Sequence, residues 1–120
     1  APWIGYLAER NGEIVGACGF KGPPRNGRVE ISYYAFPDYE REGVGAAMAL
    51  LLVMVAATKD PSLTVAARTP VGVQESSGLL KKLGFAFHGH AETLEDGKML
   101  EWRRAPLEPA LGLRGIRACG

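Results

Sequence analysis

Glu30, Ser76 and the glycine-punctuated stretch from residue 39 to 49 are the places in this 120-residue chain where residue type and spacing could do chemistry. The stretch reads Tyr-Glu-Arg-Glu-Gly-Val-Gly-Ala-Ala-Met-Ala, after a strand-like run and at the head of a long apolar one. Gly43 and Gly45 allow the backbone to approach a ligand closely, and the first N–H groups of a helix have no internal partner. Such a turn is an anion site. A phosphate held there gains about 0.3–1 kcal/mol from the helix dipole, and ~2 kcal/mol if partly buried. Two glycines in a strand-to-helix turn also arise by chance, so the stretch does not decide the matter by itself.

Glu30 lies in Val29-Glu30-Ile31-Ser32-Tyr33-Tyr34, where alternation sends Val29, Ile31 and Tyr33 to one face and Glu30, Ser32 and Tyr34 to the other. A carboxylate there can accept a proton as a general base, directly or through water; the bland reading is a solvated strand glutamate. Ser76 heads a helical stretch, where its hydroxyl can donate a proton or simply cap the helix, as Ser77 could. Tyr33 and Tyr34 are alternative proton donors. His88 and His90 flank Gly89 without a third ligand at metal-site spacing, so no metal is expected. Cys18 and Cys119 are far apart and indicate neither a metal site nor a disulfide framework.

The elements that must position these residues can be read from periodicity and turn chemistry. Trp3–Arg10 and Glu13–Phe20 flank Asn11-Gly12, a strong hairpin signal. Residues 21–27, with two prolines and Asn26-Gly27, form a loop. Arg28–Phe36 is a strand, and Gly43–Thr58 is a helix apolar on nearly all sides, as for one sandwiched between a sheet and another layer. Lys59-Asp60-Pro61 stops it. Leu63–Ala67 is a second strand, and a strand–helix–strand unit of this length implies a parallel pair. A ligand would then lie at the carboxyl ends of those strands, where the glycine turn also falls. Gln74–Leu83 is a helix ended by Gly84, and Phe85–Ala91 with Lys98–Arg104 makes a last hairpin over Asp96-Gly97. Trp3 and Trp102 read as packing residues. Residues 105–120, with two prolines and three glycines, read as a loose tail or partner-dependent arm after a domain spanning 1–104.

Composition narrows the class. At this length the chain forms one domain that buries about two thirds of its unfolded surface. The net charge of +1 is dispersed, which argues against bulk attraction to nucleic acid or to an acidic membrane. The apolar run from Val44 to Ala57 is shorter than the roughly 18–20 residues that span a bilayer, and nothing at the start reads as a signal peptide. A cytoplasmic location is expected.

The order of the segments, E-I-S-Y at Glu30, P-x-Y at Pro37, the glycine turn, Ser76, and Leu83-Gly84-Phe85, resembles the GNAT acetyltransferases. Within them it is most similar to the ribosomal-protein N-terminal acetyltransferases of the RimJ/RimL type, over about residues 5–104. The resemblance implies an α/β (α+β) fold: a mixed, mostly antiparallel sheet with one parallel strand pair and helices packed on it. It further implies acetyl transfer from acetyl-CoA to a primary amine, an N-terminal α-amine or a small-molecule amine. By carry-over, Glu30 and Ser76 would be catalytic. The cofactor's pyrophosphate would meet backbone N–H groups of Arg41, Glu42, Gly43, Val44, Gly45 and Ala46, and main chain at Ala35 and Phe36 would pair with the pantetheine arm. No metal is implied, and a homodimer is one possible assembly.

Two positions depart from the family pattern. Glu40 stands where Gln or Arg usually opens the cradle and would repel phosphate, with Arg41 beside it to compensate; Val73 replaces the Asn of N-x-x-S. The family also carries a strand and two helices ahead of the first hairpin, whereas this sequence opens at Ala1-Pro2-Trp3. The chain is therefore expected to be a fragment or a minimal variant, with the acceptor wall supplied by the tail or a partner. The competing function is a degenerate module that binds coenzyme A or a protein partner without turnover. Amine chemistry favours the α-amine as acceptor: with a pKa of about 7.7–8.0 roughly a tenth is neutral at pH 7, against about one lysine in a few thousand, a difference of ~3 kcal/mol.

Overall fold

The computed structural model describes residues 2–106 apart from Arg41, Val73 and Asp96, and for residues 74–76 it describes the main chain only. The N-terminal hairpin pairs β1 (Gly5–Arg10) with β2 (Glu13–Phe20) across Asn11 and Gly12, whose φ values of 53° and 84° are the two left-handed positions of a two-residue hairpin turn. β1 starts at Gly5 rather than Trp3, because the Ile4 N–H turns back to the Pro2 carbonyl at 2.8 Å. Trp3 instead packs edge-on against Phe20, ring centroids 5.0 Å apart. Next come β3 (Arg28–Ala35), a 3-10 turn at Pro37–Tyr39, and α1 (Val44–Lys59). β4 (Thr64–Pro70), α2 (Gln74–Lys82), β5 (Ala86–Thr93) and β6 (Gly97–Arg104) follow among the described residues.

All six strands join one sheet in the order β1-β2-β3-β4-β6-β5. Only β3 and β4 are parallel; every other neighbouring pair is antiparallel. This is the mixed α+β architecture expected from the sequence. β4 runs beyond the anticipated end at Ala67, since Arg68, Thr69 and Pro70 pair with Glu101, Leu100 and Met99 of β6. The buried side of the sheet presents Val29, Ile31, Val65 and Ala67 to Ala49, Leu52, Val53 and Ala56 of α1, joined by Leu80 of α2, Phe85 and Trp102. Trp102 is buried and its indole Nε1–H donates to Thr69 Oγ1 at 3.0 Å, so the one polar end of this core side chain is satisfied. α2 ends as its sequence predicts: Gly84 takes φ 92°, and Phe85 N–H bonds the Leu80 carbonyl while Gly84 N–H bonds that of Lys81.

α1 departs from expectation. A helix apolar all round was to be covered all round, yet Leu50, Leu51 and Met54 are 47%, 59% and 54% exposed. Among the described residues the sheet covers one face of α1 and no second layer covers that row. The even hydropathy of the run concealed which face would be left open. No helix of the described residues is long and apolar enough to cross a membrane.

Candidate active site

The site is built where two parallel strands part. β3 and β4 pair from Arg28↔Thr64 to Ile31↔Ala67, and the pairing stops there although β3 continues to Ala35 and β4 to Pro70. The divergence opens a cleft of about 250 Å³ bounded by Lys21, Glu30 and Ser32 on one side and Arg68 and Thr69 on the other, with Tyr33 between. On its other edge β3 is stitched to β2: Phe36 N–H donates to Val15 O at 2.9 Å, and Lys21 N–H to Glu30 O at 2.9 Å. Main-chain groups alternate along a strand, so even-numbered residues of β3 face β2 and Tyr33 and Ala35 turn theirs to the edge that β4 leaves unpaired. At Phe36 the N–H is held by Val15, and the carbonyl accepts from Tyr39 N–H at 2.8 Å.

At the end of β3 the chain enters the glycine turn. Gly43 is the N-cap of α1, with φ 81° and open space where a Cβ would stand. A left-handed N-cap aims the first amides of the helix outward, and no side chain caps them. Ala47 N–H closes the first helical bond on Gly43 O, which leaves the N–H groups of Val44, Gly45 and Ala46 for a ligand. A Cβ on Gly45 would sit 3.4 Å from Leu79 Cδ1 of α2 and 3.8 Å from the Tyr33 ring. The first turn of α1 therefore abuts both the cleft and α2. The turn itself is moored to the tip of the N-terminal hairpin: Arg10 Nη2 meets Glu42 Oε1 at 2.6 Å, and Tyr39 O–H donates to Glu13 Oε2 at 2.6 Å. The hydrogen bond to Glu13 is the main reason the Tyr39 phenol titrates above its usual range. Glu42 is thus engaged by Arg10, and Glu40 is exposed. Arg41, whose N–H the sequence assigns to the cradle, lies outside the described residues, as do Val73 and the side chain of Ser76. The main chain of Ser76 is in the first turn of α2.

Glu30 is no ordinary solvated strand residue. Its Oε2 stands 3.2 Å from Lys21 Nζ and its Oε1 3.7 Å from Arg68 Nε, and Oε2 is buried without a hydrogen bond of its own. Arg68 also faces Glu101 Oε1 at 3.4 Å, while Glu101 Oε2 takes two bonds of 2.7 Å from Arg103. Burial pushes the Glu101 carboxyl up, but the Arg103 hydrogen bond and the charges of Arg103, Arg68 and Arg28 outweigh it and hold it below its usual range. Tyr33 is pushed up to about 12 by burial and stays protonated across the physiological range. Arg68, Glu101 and Lys21 escaped the sequence reading. A single arginine after Val65-Ala66-Ala67 in a central strand is the signal that marks it.

A larger hollow, about 510 Å³, lies between β1 and α1 and is walled by apolar side chains such as Leu7, Val15, Met48, Leu51 and Val55. Its one thiol, Cys18, is pushed up by burial and so kept from the reactive thiolate form. It does not include Glu30, but Glu42, Gly43 and Val44 of the glycine turn border it.

The model of the acetyltransferase (GNAT) family matches residues 1–85 of this sequence. The chain belongs to the GNAT acetyltransferase family. No curated protein sequence matches it. Among solved structures it shares the GNAT fold with a ribosomal-protein-alanine N-acetyltransferase from Brucella melitensis, at 22% identity and a TM-score of 0.71 over 82% of this chain and 66% of that one. RimL, the ribosomal L7/L12 α-N-protein acetyltransferase solved with coenzyme A, matches at 17% identity and a TM-score of 0.74, over 86% of this chain and 62% of that one. The Escherichia coli ribosomal-protein-S18-alanine N-acetyltransferase matches at 14% and 0.73, covering 95% of this chain and 76% of its own. The chain therefore spans about two thirds or less of the first two. Glu30 lies in the smaller cleft, whereas Glu42, Gly43 and Val44 of the glycine turn border the larger hollow.

Proposed function

We propose that this GNAT chain transfers the acetyl group of acetyl-CoA to a primary amine, an N-terminal α-amine or a small-molecule amine, by direct attack. The observation that carries this reading is a succession along the chain: β3 holds Glu30 in the cleft, turns main-chain groups of Tyr33 and Ala35 to the edge that β4 leaves unpaired, and is followed by the turn that opens α1 with the amides of Val44, Gly45 and Ala46. Acetyl-CoA supplies the activated acetyl group. The chain's own residues do the rest. The glycine turn suits a pyrophosphate because its donors are main-chain amides with no Cβ in front of them, and Ala35 adds strand-like hydrogen bonds to an extended arm. As the amine nitrogen bonds the carbonyl carbon and the C–S bond breaks, the nitrogen loses a proton and the departing sulfur gains one. Glu30 takes the first, directly or through water, and Ser76 or Tyr33 gives the second.

The test is turnover of a panel of peptides and small amines, with Glu30→Gln beside the wild type. That variant should keep its acetyl-CoA affinity and lose about a hundredfold in kcat, because the base acts on charge that develops in the transition state. The deficit should narrow as pH rises and the amine deprotonates unaided. Acetyl-CoA binding without acetylation of any panel member would assign the chain to the degenerate CoA-binding modules instead.

A further inference from the structure

The acetyl-transfer reading leaves one group in the cleft without a task, and the inference drawn from it rests on that reading. We propose that Arg68 selects the acceptor, and that the preferred acceptor carries a carboxylate close to the amine that is acetylated. Each carboxylate at the cleft has a cation of its own: Lys21 stands 3.2 Å from Glu30 Oε2, and Arg103 holds Glu101 Oε2 at 2.7 Å. Arg68 lies between the two carboxylates, 3.7 Å from Glu30 Oε1 and 3.4 Å from Glu101 Oε1. Neither contact has hydrogen-bond geometry, and Arg68 Nε is buried with no hydrogen-bond partner among the described residues. The guanidinium is thereby centred by two charges on neighbouring strands while its Nε–H stays unspent.

A buried arginine of this kind is costly to leave unsatisfied, and a carboxylate is the group whose two oxygens match its fork. The side chain is only 25% exposed and lines the cleft beside Glu30, so a carboxylate reaching it brings the neighbouring amine toward the candidate base. An acceptor whose only charge is its ammonium leaves Arg68 as it stands. Candidates of the right chemistry are amino acids and peptides with Asp or Glu at or next to the N-terminus.

The experiment compares matched acceptors, Ala-Glu-Ala-Ala amide against Ala-Gln-Ala-Ala amide and glutamic acid α-amide against glutamine α-amide, by kcat/KM from CoA thiol release. The acidic member should lead by about ten- to hundredfold, as for one hydrogen-bonded charge pair. Arg68→Gln should bring the ratio close to one, and Arg68→Lys should keep part of it. A strut that merely steadies Glu30 would lower both rates and leave the ratio standing. A wild-type ratio near one, or a ratio that survives Arg68→Gln, overturns the proposal. Where turnover is too slow to measure, calorimetric binding of the same peptides, with and without CoA, reads the same ratio. Calorimetry with acetyl-CoA separates the two readings: no binding of acetyl-CoA removes the acetyl-transfer reading, whereas normal binding with no acidic preference removes only the role of Arg68. Should Arg68→Gln fail to fold, the wild-type ratio and Arg68→Lys still decide.

Discussion

Gly45→Ala should make the protein more stable and a poorer binder of acetyl-CoA at the same time. Gly45 lies in the first turn of α1 at a φ that any residue adopts, and a methyl there would meet Leu79 Cδ1 at 3.4 Å and the Tyr33 ring at 3.8 Å, which is ordinary contact. Alanine in place of a helical glycine therefore gains about 0.5–1 kcal/mol. At roughly 4 °C per kcal/mol for a domain near this size, Tm rises by about 2–4 °C. The same methyl projects between α1, Tyr33 and α2, where the ligand's phosphates would approach the amides. Crowding of about 1–3 kcal/mol weakens acetyl-CoA by roughly tenfold or more. The companion Gly43→Ala has the opposite stability sign, since its φ of 81° costs a non-glycine residue about 1–2 kcal/mol with no contact to offset it. Scanning calorimetry of both variants, with and without acetyl-CoA, separates the two effects. For the wild type, ligand at a hundred times Kd should add about 2.7 kcal/mol. If Gly45→Ala were stabilised and still bound acetyl-CoA as tightly as wild type, the phosphates would not lie at this turn.

Glu40→Gln removes an exposed negative charge beside the turn and should tighten acetyl-CoA by about 0.5–1 kcal/mol in low salt, an advantage that fades at high ionic strength; weaker binding by titration calorimetry would give Glu40 another role. Thr69→Val strands the buried Trp102 indole N–H and should cost about 1–3 kcal/mol in urea unfolding with an unchanged m-value, whereas no loss would mean the 3.0 Å bond is dispensable. Tyr33, raised to about 12 in the fold, stays protonated where an unfolded tyrosine near 10 has begun to ionise. Above pH ~10 the native state therefore binds more protons than the unfolded one, so stability is full below that pH and falls as pH climbs toward the folded value. Tyr33→Phe should flatten that decline, and an unaltered decline would place the titration elsewhere.

Turn chemistry and alternation made most of the fold legible. Asn11-Gly12 and Gly84 fall at the φ values their types suggest, and Val29 and Ile31 are buried while Ser32 and Tyr34 are exposed. The charge cluster was not legible because it assembles from β2's end, β3, β4 and β6, and only the register Arg68↔Glu101 brings its members together. The engagement of the Phe36 amide by Val15 was hidden for a similar reason, since it spans a strand pair whose register no local pattern reveals. The exposed row of α1 escaped notice because a uniformly apolar helix carries no directional signal.

The central claim is that acetyl-CoA lies along β3 and ends on the amides that open α1. An amide-resolved ¹⁵N NMR titration of the full chain with acetyl-CoA tests it most directly. The largest shifts should fall on Val44, Gly45 and Ala46, with Tyr33 and Ala35 next and the amide of Phe36, held by Val15, less affected. Shifts centred instead on Leu7, Leu51 and Val55 of the apolar groove, or a spectrum that does not respond, would contradict the account.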